Sequence, residues 1–249
     1  MNPNVSAILR TLNVALQPLV NLTSDDVIGY EALARPAGAQ AAPATLFEAA
    51  LAGGWITELE LSVAERAFDN ASLASGQRLF LNVHPSALES RGFGRRPCRA
   101  VPARRAVIEI TEQGPITDAE TALANIEELR RAGARFAIDD FGSGYAHLRW
   151  LRQIRPRFLK LAQSIAGGFE SVSWRCSIVH IVQSFAKETG CSVIAEGIET
   201  AATANAAREL GVEFGQGYFF GRPVIQKSLR CISITWSPPI SASPLPPAA

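Results

Sequence analysis

Residues Ile116–Asp140 read ITDAETALANIEELRRAGARFAIDD, and the fold class turns on them. Leu123, Ile126 and Leu129 recur at helical spacing on one face. Thr117 and Glu120 stand at capping-box spacing, and Gly133 supplies a stop. Phe136–Asp140 then forms a short apolar run that ends in two carboxylates. The pattern predicts a helix over 116–132 and a strand over 136–140. Ser173–Thr189, with Ile178, Ile181, Val182 and Phe185 on one stripe, likewise stops at Gly190 before a strand over Ser192–Ile198. Ala201–Leu210 stops at Gly211 before Phe214–Phe220.

Working outward, further strands are expected at Val27–Leu33, Leu79–Val83, Ala106–Thr111 and Phe158–Ala162, with one short helix ahead of the first. This alternation is that of βαβ units on a parallel sheet. Periodicity alone fits an open sheet or a closed barrel, and the length of 249 residues suits the barrel better. The expectation is a single α/β domain, a (β/α)8 TIM-barrel-like fold over residues 17–230, behind a short segment over 1–16. Beyond Pro223 the chain turns rich in Pro and Ser, text that reads as neither sheet nor helix, and 231–249 is expected to be a disordered tail.

Composition narrows the function classes. Hydrophobic residues make up 47% and charged residues 19%, enough for a large core and too apolar for disorder. A net charge of +1 argues against a protein that coats polymeric nucleic acid. No apolar run reaches membrane-spanning length and the amino end lacks a signal layout, so a cytoplasmic location is expected. Cys98, Cys176, Cys191 and Cys231 show neither zinc spacing nor a disulfide framework, and read as reduced.

The polar residues within the strands carry the functional signal. Glu31, Asn82, Glu109, Asp139 with Asp140, Lys160, Glu196 and Gln216 each fall within or at the end of an apolar run. A charge inside a parallel strand is costly to bury unless it is paired or bound to a metal. In parallel α/β folds the C-terminal strand ends gather on one face. A ring of oxygen ligands without Cys or His selects Mg²⁺ or Mn²⁺, ions that commonly work through phosphate oxygens. Elsewhere, His84 reads as a cap or hydrogen-bonding group, and His147 and His180 as structural or exposed. Trp55, Trp150 and Trp174 read as packing residues. Arg95, Arg96, Arg99, Arg104 and Arg105 read as a solvated basic loop.

At these residues the chain resembles the EAL family of cyclic di-GMP phosphodiesterases. The matching blocks, in order, are QPLV at Gln17–Val20, YEALAR at Tyr30–Arg35, LNVHPSAL at Leu81–Leu88, IEITE at Ile108–Glu112 and DDFGSGYAHL at Asp139–Leu148. LKLA at Leu159–Ala162, AEGIET at Ala195–Thr200 and QGYFFGRP at Gln216–Pro223 complete the set. The resemblance implies hydrolysis of cyclic di-GMP to linear pGpG with two divalent cations, Mg²⁺ or Mn²⁺, held by Glu31, Asn82, Glu109, Asp139 and Asp140. It implies catalytic roles for Lys160, Glu196 and Gln216, with Arg35, Leu33 and Gln17 on the substrate. Glu112, Gly142 and Gly144 would support the loop that closes over the metals. It also implies the homodimer that many relatives form.

The chain departs from the family at Ala162, where relatives usually carry the aspartate of LKID. The loss of that carboxylate raises an alternative, a catalytically silent cyclic di-GMP receptor acting through a protein partner. The retained polar set favours the enzyme.

Overall fold

The computed structural model describes residues 3–37, 42–96, 102–111, 114–141, 148–166 and 173–225. The chain begins with α1 (Pro3–Thr11) and a hairpin of β1 (Asn13–Asn21) and β2 (Val27–Arg35). Then come α2 (Pro43–Ala52), α3 (Ile56–Asn70), β3 (Arg78–Val83), the single turn α4 (Pro85–Leu88) and β4 (Ala106–Ile110). The second half alternates α5 (Ala119–Arg131), β5 (Arg135–Phe141), α6 (Leu148–Ile154), β6 (Phe158–Leu161), α7 (Gln163–Ala166) and α8 (Ser173–Thr189). It ends with β7 (Ser192–Ala195), α9 (Ala201–Glu209), β8 (Phe214–Gln216) and β9 (Val224–Ile225). No helix among the described residues is long and apolar enough to cross a membrane.

Strands β2 to β8 run parallel in chain order, and β1 closes the ring by pairing with both β2 and β8. The barrel is therefore closed as expected, but β1 is antiparallel to both neighbours. Sequence periodicity missed β1. Its residues are buried along nearly its whole length, so no alternation marks it, and Pro18 sits in its middle. The proline is tolerated because β8 pairs with β1 only at Leu19–Asn21 and β9 only at Ala15 and Leu16, leaving Pro18 in the gap. The strand at Val224–Ile225 corrects the expectation that sheet structure ends at Pro223.

The helices form where their apolar stripes predict, with one correction. Asp118, not Thr117, caps α5 by accepting the Thr121 amide hydrogen bond at 3.0 Å. Thr117 instead bonds the Glu89 carboxylate. The predicted strands over 192–198 and 214–220 end early, at Ala195 and Gln216, and continue as loops at the barrel mouth. Residues 231–249, Glu112, Gly142, Gly144 and His147 lie outside the described residues. Of the cysteines, Cys176 and Cys191 are described and neither is in a disulfide.

Inside the barrel, one layer is apolar: Leu19, Phe80, Val107, Ala137, Phe158 and Ile194 form a separate buried cluster. The Phe80 and Phe158 rings lie 5.4 Å apart, tilted at 54°. Gly29 completes this layer by omission, since a Cβ there would run into the Arg78 backbone carbonyl and meet the Phe80 ring at 3.1 Å. The helices pack on the outer faces of the strands and bury the larger core.

Phe158 packs between Phe80 and Phe214 in this plug, two residues before Lys160 on the same strand. Phe158→Ala is expected to cost about 3–5 kcal/mol of unfolding free energy, measured by urea titration.

Candidate active site

Side chains two residues apart on a strand share a face. From the apolar plug, one such step toward the C-terminal strand ends leads from Phe80 to Asn82, Val107 to Glu109, Ala137 to Asp139, Phe158 to Lys160 and Ile194 to Glu196. The same step leads from Gly29 to Glu31 and from Phe214 to Gln216. On the reversed β1 it runs backward, from Leu19 to Gln17. The polar ring is therefore the next interior layer of the barrel.

Lys160 is its hub. The ammonium is fully buried and lies 3.0 Å from Glu109 Oε1, 3.0 Å from Asp139 Oδ1, 2.8 Å from Glu196 Oε1 and 3.6 Å from Glu31 Oε2. Amides hold the far side: Asn82 Nδ2 donates to Glu31 Oε1 at 2.7 Å, and Gln216 Nε2 donates to Glu31 Oε2 at 2.6 Å. Gln216 also reaches Gln17 Oε1 at 3.3 Å, and Gln17 Nε2 donates to the Gly221 carbonyl at 3.2 Å. Asp140 follows Asp139 and would point outward in a regular strand. Its positive φ of 52°, with a register irregularity against β6 between Ile138 and Phe141, breaks the alternation and puts it in the mouth.

The electrostatics follow from the geometry. Burial works against the Lys160 charge, but the surrounding carboxylates outweigh it and hold its pKa well above the ordinary lysine value. Burial pushes Glu109 well up, opposed by Lys160 and reinforced by Glu31 and Asp139. Glu196 is pushed up to about 8, first by burial and against the pull of Lys160. Burial and then Asp139 raise Asp140. Glu109 Oε1 and Asp139 Oδ1 are buried and meet Lys160 as ion pairs at 3.0 Å, while Glu109 Oε2 is buried without a hydrogen-bond partner. Among the described residues no three His, Cys, Asp or Glu side chains are grouped as a finished metal cage. Instead they surround Nζ as an excess of negative charge with orphaned hard oxygens, a donor set that suits divalent cations.

Above this ring a cavity of about 260 Å³ is lined by Gln17, Glu31, Asp140, Glu196 and Gln216. Gln163, Glu199 and Tyr218 also line it, and sequence reading passed over all three. Glu199 and Tyr218 stand inside the matched blocks AEGIET and QGYFF, so a signal was available; Gln163 had none. Also missed was Glu60 on α3, a buried carboxylate whose Oε1 accepts the His84 amide at 2.6 Å and so fixes the chain just beyond Asn82. His84 itself caps α4 through Nδ1, accepting from the Ser86 amide at 3.1 Å, as expected.

Arg35 lies outside the residues lining this cavity, and its guanidinium donates to the Ala34 carbonyl at 2.8 Å. Leu33 is half-buried on β2, opposite Ala15. Ala162 is buried, and its carbonyl accepts from the first turn of α7.

Comparison with known proteins gives a consistent picture. A family model described as the EAL domain matches residues 6–223. PdeI of Escherichia coli K12, a probable cyclic di-GMP phosphodiesterase, is 30% identical over 228 residues, covering 86% of this chain and 29% of that protein. The cyclic di-GMP phosphodiesterase RocR of Pseudomonas aeruginosa is 32% identical over 159 residues, covering 62% of this chain and 41% of its own. The chain thus spans less than half the length of these curated relatives. Among solved structures, Klebsiella pneumoniae BlrP1 in a manganese and cyclic di-GMP complex superimposes with a TM-score of 0.74 at 26% identity, covering 86% of this chain and 56% of that one.

Removing the hub isolates its contribution. Lys160→Met is expected to destabilise the metal-free protein by about 3–5 kcal/mol at pH 8, because buried carboxylates lose their counter-charge. The loss should shrink at pH 6, where carboxyls with raised pKa values take up protons. Urea titrations at the two pH values, with a chelator present, measure the difference.

Proposed function

Because the chain belongs to the EAL domain family, we propose that it is a divalent-metal-dependent phosphodiesterase that hydrolyses cyclic di-GMP to linear pGpG. The observation that carries this reading is the interior ring of oxygen donors around Lys160 beneath an open cavity. In this reading Glu31, Asn82, Glu109, Asp139 and Asp140 hold two cations, Mg²⁺ or Mn²⁺. Glu31 is oriented for that task by its two amide donors, and Asn82 keeps its carbonyl oxygen for ligation. When bound, the cations supply charge for the phosphodiester oxygens and acidify water.

The chain's own groups do the rest. Lys160 Nζ, fixed by the carboxylates around it, presents a permanent positive charge to the attacking water and the phosphate. Glu196 sits at the cavity, and once neighbouring cations hold it ionised it would accept the proton that water loses as it attacks phosphorus. One phosphorus–oxygen bond to water forms, one to ribose breaks, the departing ribose oxygen takes up a proton from solvent, and the ring opens. Gln216 and Gln17 keep Glu31 in place throughout.

The receptor alternative rests on Ala162. Lys160 is held by carboxylates from β2, β4 and β5 and from the loop after β7, without any contribution from position 162, which supports retained turnover.

Incubation of the purified protein with cyclic di-GMP and Mn²⁺, resolved by chromatography, should yield linear pGpG. Glu31→Ala should reduce the rate by about 10³-fold or more. Binding of the dinucleotide without product would instead establish the receptor. A second test uses linkage. Between about pH 4.5 and 8 the folded chain keeps the Glu196 proton that the unfolded chain has lost, so this group's contribution to stability falls as pH rises through that window. Cations that bind the ionised ring should therefore raise Tm more at pH 8 than at pH 6, as read by thermal melts with and without Mn²⁺.

A further inference from the structure

At the opposite end of the barrel, the C-terminal ends of α6 and α8 frame a groove of about 370 Å³. Its walls are Leu151, Pro156, Phe185 and Cys191, and Arg152 and Arg155 stand at its rim. Along α8 the apolar wall continues: Ile181 lies one turn before Phe185 on the same stripe and is 69% exposed.

The two arginines are exposed, and among the described residues neither has a carboxylate at ion-pair distance. Glu127 on α5 lines a neighbouring cavity with both arginines and feels the Arg155 charge, but its ion pairs are with Arg130 at 2.7 Å and Arg131 at 3.4 Å. Positive charge covers one side of this face, where Arg78 and Arg135 open β3 and β5 and Arg105 and Arg157 immediately precede β4 and β6, whereas Asp26 and Glu213 precede β2 and β8. Burial, and then the like charges of Arg135 and Arg105, depress the Arg78 guanidinium pKa.

Arg155 carries a second mark. Three other helices that lead into barrel strands, α5, α8 and α9, are followed by Gly133, Gly190 and Gly211, all at positive φ. The corresponding residue after α6 is Arg155, with φ of 46°. A side chain in that conformation is strained, and glycine would relieve it. Two such joints meet the groove, at Arg155 after α6 and at Gly190 between Thr189 and Cys191 after α8, and only the first carries a side chain.

We propose that this groove is a docking site for an acidic amphipathic helix of a partner protein, its apolar side chains seated between α6 and α8 and its carboxylates on Arg152 and Arg155. Charge complementarity selects an anionic occupant, and the apolar recess selects one with side chains to insert. A phosphate backbone offers nothing to the recess. The groove is remote from the catalytic mouth and independent of the proposed reaction.

The test uses the full chain and a fluorescein-labelled peptide of about four helical turns, Leu and Phe on one face and Glu on the other, followed by anisotropy at low salt. Binding is expected, weakening with added salt. Arg155→Gly should weaken it by about tenfold while raising Tm by about 2–4 °C as the backbone strain is relieved. Arg152→Glu should weaken it at least as much, and both variants should keep any basal activity. Four results would overturn the proposal: no binding, unchanged affinity in Arg155→Gly, equal binding of polyglutamate, or tighter binding of anionic phosphatidylglycerol vesicles or duplex DNA. Self-association in sedimentation that Arg155→Gly abolishes would assign the groove to a second copy and overturn it too.

Discussion

A single buried ammonium organises this molecule. Lys160 stands inside the barrel with carboxylates from several strands around it, where burial strengthens both its attraction to them and their mutual repulsion. One positive charge does not neutralise them. The interior therefore retains an unmet demand for cations or protons, visible in the raised pKa values of Glu109, Glu196 and Asp140. The apolar layer of Leu19, Phe80, Val107, Ala137, Phe158 and Ile194 closes the barrel from below and confines this charge to one end. Stability and chemistry are stacked in adjacent layers of one sheet.

The polar ring was readable in the linear chain because the strand period is two and a carboxylate inside an apolar run is a rare event with few explanations. That reasoning found Glu31, Asn82, Glu109, Asp139, Lys160, Glu196 and Gln216 and their common face. It could not show that the carboxylates converge on Lys160, because convergence depends on barrel closure and the stagger of the strands. Asp140 shows a subtler failure: alternation alone would point it outward, and only its left-handed backbone brings it to the mouth.

The remaining misses have local causes. β1 was hidden by its lack of alternation and by Pro18, which normally argues against a strand between two others. The gap between β8 and β9 that admits the proline exists only in three dimensions. At α5, two cap candidates stood side by side, and the Glu89 carboxylate took Thr117 and left the role to Asp118. Glu60 carries no signature at all, since its partner is a backbone amide on another element.

The seam between β1 and β8 has a consequence for biosynthesis. Gln216, which braces Glu31, and Gln17, which accepts from Gln216, are separated by 199 positions. The last parallel strand, Phe214–Gln216, is also the one that pairs with β1. A ribosome adding about 5–20 residues per second leaves the amino-terminal hairpin waiting on the order of 10–40 s for its partner. Until then β1 presents an unpaired edge and the polar ring lacks a member. A nascent chain that has not yet reached Gln216 therefore has neither a closed barrel nor an assembled site, and competence arrives in one step, when β8 is added.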